Sequence, residues 1–116
     1  MKMRALLVED EAIIAMMIED MIGDLGHEVV ARAGDLAAAS AQARDLAIDF
    51  AILDVNLDGE ATFPVAEILA ARGIPFVFAT GYGVTEETAQ YKNAPTLQKP
   101  FQASELAKAL ALLAGG

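Results

Sequence analysis

Short apolar runs of the kind that form β-strands alternate along this chain with longer segments of helical periodicity. The apolar runs are Ala5–Val8, Glu28–Ala31, Phe50–Leu53, Phe76–Ala79 and a weaker Thr96–Gln98. This alternation is typical of β-α-β units wound around a parallel sheet. The run at 50–53 is apolar at every position, as expected of a strand that is covered on both faces.

Five helical segments separate or follow these runs. In the first, apolar residues recur at steps of three and four, which predicts one core-facing side that ends near Gly26. Asp35 is a credible N-cap for a helix through Leu46, and Pro64 and Gly73 suit the two ends of a third helix. The segment 85–90 allows only a short helix, and a final helix is predicted from Ala103 to Ala114. The predicted core positions of the first helix are Ile14, Met17, Ile18, Met21 and Leu25.

Right-handed crossovers between these elements favour one arrangement. It is an α/β fold with a doubly wound, five-stranded parallel sheet in the flavodoxin-like strand order 2-1-3-4-5. In such a sheet, chemistry is located beyond the carboxyl ends of the strands, where the strand order reverses.

Composition narrows the class of protein. A length of 116 residues predicts a single domain, residues 1–116, and 55% hydrophobic residues are ample for a packed core. Because the net charge is −9, we expect neither nucleic-acid nor membrane-surface binding, and a soluble cytoplasmic protein is the default expectation. The absence of cysteine excludes disulfides, thiolate metal sites and a thiol nucleophile.

Acidic residues follow the first and third predicted strands. Asp10 lies just after the first strand and Asp54 directly after the third, and the predicted order makes these strands neighbours. Two carboxylates about 4 Å apart repel each other by roughly 4 kcal/mol at an effective dielectric constant near 20. A hard divalent cation such as Mg²⁺ would relieve that repulsion. Glu11 is better interpreted as a residue of the first helical turn.

Two more polar residues end the remaining strands. Thr80 offers a hydroxyl after the fourth strand, and Lys99 offers an ammonium group after the fifth. Each alone is weak support for a site. Together, the four strand ends bring acids, a hydroxyl and a cation to one edge of the sheet.

This pattern resembles the receiver domain of two-component response regulators, the CheY-like fold. The matching segments are 7–11 (LVEDE), 52–57 (ILDVNL), Thr80 and 99–101 (KPF). The resemblance implies that Asp54 accepts a phosphoryl group and that Lys99 and Thr80 contact it. It further implies that Glu9, Asp10, Asp54 and the main-chain carbonyl of Asn56 hold Mg²⁺ or Mn²⁺, and that the bond before Pro100 is cis.

The segment 78–83 (FATGYG) is similar to the FATGUY subgroup of receivers, often paired with sensor kinases of the HWE or HisKA2 type. Many receivers carry a switching aromatic residue three positions before the lysine, where this chain has Thr96. We therefore expect Thr80 together with Tyr82, or the loop after it, to act as the switch. The segment 81–90 would move when Asp54 is phosphorylated.

The resemblance also implies a function and partners. We expect a single-domain response regulator in a phosphorelay, a signalling protein and not an enzyme, although it catalyses its own phosphorylation and dephosphorylation. Its partner would be a sensor histidine kinase or a histidine phosphotransfer protein, which would dock at Ile13 and Met16 of the first helix. A wide core face is the alternative interpretation of these two residues. Small residues on the last helix leave a monomer or a weak dimer open.

Several alternatives share some of these features. The segment 54–59 matches the start of an EF-hand loop, but Val65 stands where the bidentate Glu belongs. A haloacid-dehalogenase-like phosphatase would need Asp at Asn56, and a flavin or nucleotide binder would need a phosphate cradle after the first strand. A receiver fold that acts only in protein interaction, without phosphorylation, and a receiver fragment of a hybrid histidine kinase remain open.

Overall fold

A computed structural model of the chain describes residues 2–81, 85–91 and 93–115. Its main sheet has five parallel strands in the spatial order β2-β1-β3-β6-β7. Setting aside a separate two-stranded hairpin, this is the predicted order 2-1-3-4-5, so the fold prediction is confirmed. The strands are β1 (Arg4–Val8), β2 (Glu28–Ala33), β3 (Phe50–Asp54), β4 (Asn56–Leu57), β5 (Glu60–Ala61), β6 (Phe76–Thr80) and β7 (Thr96–Gln98).

Among the described residues, five helices flank the sheet. They are α1 (Ala12–Asp24), α2 (Leu36–Asp45), α3 (Phe63–Ala71), α4 (Glu86–Ala89) and α5 (Ala103–Gly115). Because successive side chains of a strand point to opposite faces, Leu6 and Val8 of β1 pack with α2 and α3, whereas Ala5 and Leu7 pack with α1 and α5. Within the part of the chain that the structure describes, no helix is long and apolar enough to cross a bilayer.

Helix ends follow the predicted signals. The Asp35 carboxylate accepts a hydrogen bond from the Ala38 amide at 2.8 Å, which caps α2 as predicted. Gly73 follows α3 with a φ of 71°, a left-handed conformation that glycine adopts without steric cost. The short α4 lies within the predicted segment, and Thr85 and Thr88 cap it reciprocally.

The buried side of α1 differs from the prediction. Its fully buried residues are Ala15, Ile18 and Ile22, and the predicted core residue Met17 is 49% exposed. The helix is apolar around most of its circumference, so periodicity alone did not fix which stripe faces the sheet. The prediction for Met17 was therefore wrong. The prediction for Ile18 is confirmed, and Ile14, Met21 and Leu25 are partly buried against the same core, as predicted.

A β-hairpin that the sequence analysis did not predict follows β3. Strands β4 and β5 pair antiparallel through a two-residue turn, Asp58-Gly59, in which both residues have positive φ (48° and 91°). Asp-Gly is a preferred sequence for this turn, because aspartate tolerates and glycine favours the left-handed conformation. The hairpin overlaps segment 54–59, which matches the start of an EF-hand loop in sequence, and places Asn56 beside the end of β3.

Candidate functional site

Three carboxylates meet at the carboxyl edge of the sheet. Glu9 and Asp10 follow β1, and Asp54 is the last residue of β3. One oxygen of each lies within 4.8 Å of the others. Glu9 and Asp54 are 3% and 7% exposed, whereas Asp10 is open to solvent. The sequence-predicted acids are thus brought together.

Lys99 bridges two of these acids. Its ammonium group donates to Glu9 Oε1 at 3.0 Å and to Asp54 Oδ2 at 3.2 Å. The Lys99 amide also donates to the Thr80 carbonyl at 2.7 Å, which fixes the end of β7 against the end of β6. The Lys99–Pro100 peptide bond is cis, as expected.

Burial and neighbouring charges change the ionisation of Asp54 and Lys99. Burial, reinforced by the negative charge of Glu9, raises the pKa of Asp54 from 3.8 to about 6, although Lys99 and the Asn56 amide counteract the rise. Burial acts to lower the pKa of Lys99, but its bonds to Glu9 and Asp54 outweigh burial and raise that pKa. Asp54 is therefore held as a carboxylate at neutral pH, at an energetic cost.

This donor set suits a hard divalent cation. All the donors are oxygen atoms, and the single ammonium group of Lys99 balances only one of the three carboxylates that meet here. The predicted ligands Glu9, Asp10 and Asp54 fit that role as a group. The Asn56 side chain is engaged elsewhere, since its Oδ1 accepts the Gly59 amide at 2.8 Å.

Asp10, Asp54 and Lys99 line an open cleft of about 520 Å³, and Glu9 is buried behind it, in contact with Lys99. Thr80 and Asn56 also line this cleft. Thr80 is 3% exposed and ends β6, the strand next to β3. Glu11 lies just before α1, as predicted, and its amide donates to Glu9 Oε2 at 3.2 Å. Every predicted site residue except Tyr82 and the two docking residues therefore borders one cavity or its buried wall.

Of the predicted switch residues, the structure describes Thr80 but not Tyr82. Tyr82 lies outside the described residues, and Thr96, which replaces the usual aromatic residue, is half-buried in β7. An aromatic cluster that the sequence analysis missed lies nearby. The ring of Tyr91 stacks on Phe63 with centroids 6.0 Å apart and meets Phe78 edge-on at 5.5 Å.

Tyr91 also forms a polar contact with α3. Its hydroxyl donates to Glu67 Oε1 at 3.1 Å. Burial raises the pKa of Tyr91, and the hydrogen bond to Glu67 and the negative charge of Glu67 raise it further. Tyr91 thus ties the segment after α4 to α3 and to β6. No local pattern marks such a contact, because its partners are distant in the sequence.

Apolar side chains are exposed on α1, the helix whose Ile14 lines the acidic cleft. Ile13 and Met16 of α1 are 75% and 59% exposed, so the alternative of a wide core face is excluded. Next to them, Met17, Met21 and Phe101 contribute to a groove of about 240 Å³ that also reaches Lys99.

Thr62 is a further residue at this site that sequence reasoning missed. It stands directly before α3, is fully buried, and donates its hydroxyl to the main-chain carbonyl of Asp54 at 2.6 Å. A threonine before Phe63 and Pro64 resembles an ordinary helix cap, which conceals this contact with β3.

Comparison with known proteins shows the family of this chain. Residues 5–111 match the response regulator receiver domain, and the chain belongs to that family. It is a receiver domain of two-component signalling, so the family prediction is confirmed.

Particular relatives refine this placement. The solution structure of SdrG from Sphingomonas melonis Fr1 is 50% identical, with a TM-score of 0.84 and coverage of 96% of this chain and 95% of that chain. The PhyR receiver domain of Erythrobacter litoralis is 25% identical, with a TM-score of 0.81 and coverage of 98% and 91%. These neighbours are receivers of the FATGUY type, as predicted.

A curated relative is longer than this chain. The transcriptional regulatory protein PdtaR of Mycobacterium tuberculosis is 32% identical over 113 residues, which are 94% of this chain and 55% of that protein. The chain therefore spans about half the length of this curated relative.

Proposed function

We propose that this receiver accepts a phosphoryl group on Asp54 from a phosphohistidine of a partner protein, in a reaction that depends on Mg²⁺ or Mn²⁺. The observation that carries the proposal is the convergence of Glu9, Asp10 and Asp54 within 4.8 Å, with Lys99 bridging two of them. A structural ion pair would need one acid. Three acids around one ammonium group leave excess negative charge where a cation and a phosphoryl group would bind.

The chemistry follows from the positions of the side chains. An Asp54 oxygen attacks phosphorus, the phosphorus–nitrogen bond of the donor breaks, and its electron pair returns to the imidazole nitrogen. When bound, the divalent cation neutralises negative charge on the transferred group. Lys99 stabilises the phosphoryl oxygens from the other side, and Thr80 is placed to contact one of them. Attack of water on the same phosphorus breaks its bond to the Asp54 oxygen, restores the carboxylate and releases inorganic phosphate.

Signalling follows from the charge that phosphorylation adds. Phosphorylated Asp54 carries about two negative charges and three acceptor oxygens instead of one negative charge. The Thr80 hydroxyl, with Tyr82 and the segment after it, would respond and bias an existing conformational equilibrium. The protein is thus a signalling component that catalyses its own modification, and not an enzyme with a separate substrate.

The partner surface is proposed to be the exposed part of α1. Ile13 and Met16 lie on the helix whose Ile14 lines the acidic cleft, and they offer apolar area to a sensor histidine kinase, including the HWE and HisKA2 types, or to a phosphotransfer protein. A basic rim on that partner would complement the net charge of −9.

The decisive experiment is intact-mass analysis after incubation with acetyl phosphate and Mg²⁺. The wild type is expected to gain the mass of one phosphoryl group, and Asp54→Asn none. Asp45→Asn, which changes an exposed acid at the end of α2, is the matched control and should be labelled like the wild type. Labelling that persists in Asp54→Asn would refute Asp54 as the acceptor. An unlabelled wild type would favour an interaction module without phosphorylation.

A further inference from the structure

Thr62 makes an unusual hydrogen bond for a residue at the start of a helix. A threonine at this position ordinarily accepts an amide of the first helical turn. Among the described residues the Thr62 side chain makes no such cap. Its hydroxyl points back to the sheet, 2.6 Å from the Asp54 carbonyl and 3.3 Å from the Val55 carbonyl.

The main chain of Thr62 reinforces this contact. Its amide donates to the Val55 carbonyl at 2.9 Å, and the Val55 amide donates to the Ala79 carbonyl at the same distance. Thr62 therefore closes the base of the β4–β5 hairpin and ties it to β3, which is itself bonded to β6. The side chain is 0% exposed, so water cannot replace the hydroxyl.

The closed base sets the position of the groups that react. The Asn56 amide, inside the hairpin, donates to Asp54 Oδ1 at 3.3 Å. Movement of the main chain at 54–55 would therefore shift both the nucleophilic carboxylate and the neighbouring Asn56. Catalysis by alignment is sensitive to displacements of about 1 Å.

We infer that Thr62 is a positioning residue for phosphoryl transfer, whose buried hydroxyl holds the main chain of Asp54 and the base of the hairpin in the reactive geometry. This inference rests on the proposed function. It extends that function, because Thr62 lies behind the cleft and would act through Asp54 without contacting the phosphoryl group.

The test compares variants that separate this role from general stability. Thr62→Val removes the hydroxyl and keeps the side-chain shape, whereas Thr62→Ser keeps the hydroxyl and removes the methyl group. Ile22→Val is the stability control, because Ile22 is fully buried in α1, does not line the acidic cleft, and loses about 1 kcal/mol of stability with one buried carbon. Should Thr62→Val fail to fold, Thr62→Ala removes the same donor without adding a second methyl group.

Three measurements are made on each variant. They are the urea midpoint of unfolding, the Mg²⁺ concentration dependence of the Asn56 and Gly59 amide chemical shifts, and the rate of phosphorylation by acetyl phosphate. Thr62→Val is expected to be phosphorylated about tenfold more slowly and to need several-fold more Mg²⁺ for half its shift change. Thr62→Ser should stay within about twofold of the wild type in its phosphorylation rate and in the Mg²⁺ concentration that gives half its shift change. Ile22→Val should lose stability only, with its phosphorylation rate and Mg²⁺ response unchanged.

The outcomes distinguish the inference from the proposed function. If the wild type is phosphorylated and Thr62→Val matches it in rate and Mg²⁺ response, the positioning role is refuted and the proposed function stands. An equal loss of phosphorylation rate in Thr62→Val and Ile22→Val would also refute it, because that loss would reflect stability alone. If the wild type itself neither gains phosphate nor responds to Mg²⁺, the proposed function fails and the positioning role fails with it.

Discussion

Replacing Asp54 with asparagine should stabilise the protein at neutral pH, although it removes the proposed reactive group. The pKa of this carboxyl is raised from 3.8 to about 6, chiefly by burial and then by Glu9. At about 1.4 kcal/mol for each pKa unit, keeping it ionised in the folded state costs ~3 kcal/mol. Asparagine resembles the neutral acid in shape, so Asp54→Asn should recover most of that free energy.

The stability difference between Asp54→Asn and the wild type should increase with pH. A carboxyl whose pKa is higher in the folded than in the unfolded protein binds its proton more tightly when folded. Its contribution to stability therefore falls as pH rises from about 4 to about 6. The gain of Asp54→Asn over the wild type should be near zero below about pH 4 and complete above about pH 7.

Urea unfolding followed by far-UV circular dichroism measures this difference. With a denaturant slope of about 1.5 kcal/mol per molar urea, the midpoint should rise by roughly 2 M above about pH 7. Asp45→Asn is the control for removal of one exposed negative charge and should stay within about 0.5 kcal/mol of the wild type. The reasoning is wrong if Asp54→Asn gains nothing at neutral pH, or gains equally at all pH values.

Three further predictions concern other parts of the molecule. Asp35→Ala should lower the free energy of unfolding by about 1 kcal/mol in urea titrations, because the Ala38 amide loses its cap; no loss would contradict the capping role. Tyr91→Phe keeps the ring stack and loses only the bond to Glu67, so it should cost less than about 1 kcal/mol, whereas Tyr91→Ala should cost ~3 kcal/mol. Equal thermal unfolding of the two Tyr91 variants would refute the packing role. Ile13→Asp should keep its stability within about 0.5 kcal/mol and its labelling by acetyl phosphate, yet accept phosphate more slowly from its kinase; an unchanged kinase rate would exclude docking at this residue.

The sequence predicted the strands and the site at their ends because both depend on local patterns. A buried parallel strand is a continuous apolar run; Asp54 and Thr80 each end such a run, and Lys99 follows the weaker run of β7. Once the strand order is known, these ends lie at one edge, and no long-range contact needs to be guessed.

The parts that were missed depend on the third dimension. The edge of the α1 stripe that faces the sheet was wrong, because Met17 and Ile22 are both apolar and only packing decides that Ile22 is buried. The hairpin strands are two residues long, too short for an alternation pattern, although Asp58-Gly59 was a usable turn signal.

Side-chain partners distant in the sequence were likewise beyond local patterns. The Tyr91 hydroxyl contacts α3 across 24 positions of the chain. Thr62 reaches back eight positions to Asp54, opposite to the direction of an ordinary cap. Neither direction could be inferred from the residue types alone.

The bridging position of Lys99 determines how many positive charges the cleft can accommodate. When ionised, the three carboxylates and the ammonium group sum to −2, which a single divalent ion brings to zero. With a monovalent cation the pocket stays negative, and this remaining charge repels an incoming dianionic donor. A trivalent cation would give the pocket a net positive charge. The ammonium group of Lys99 thus acts as a fixed counter-ion, and the net charge that it leaves is the charge that one divalent cation neutralises.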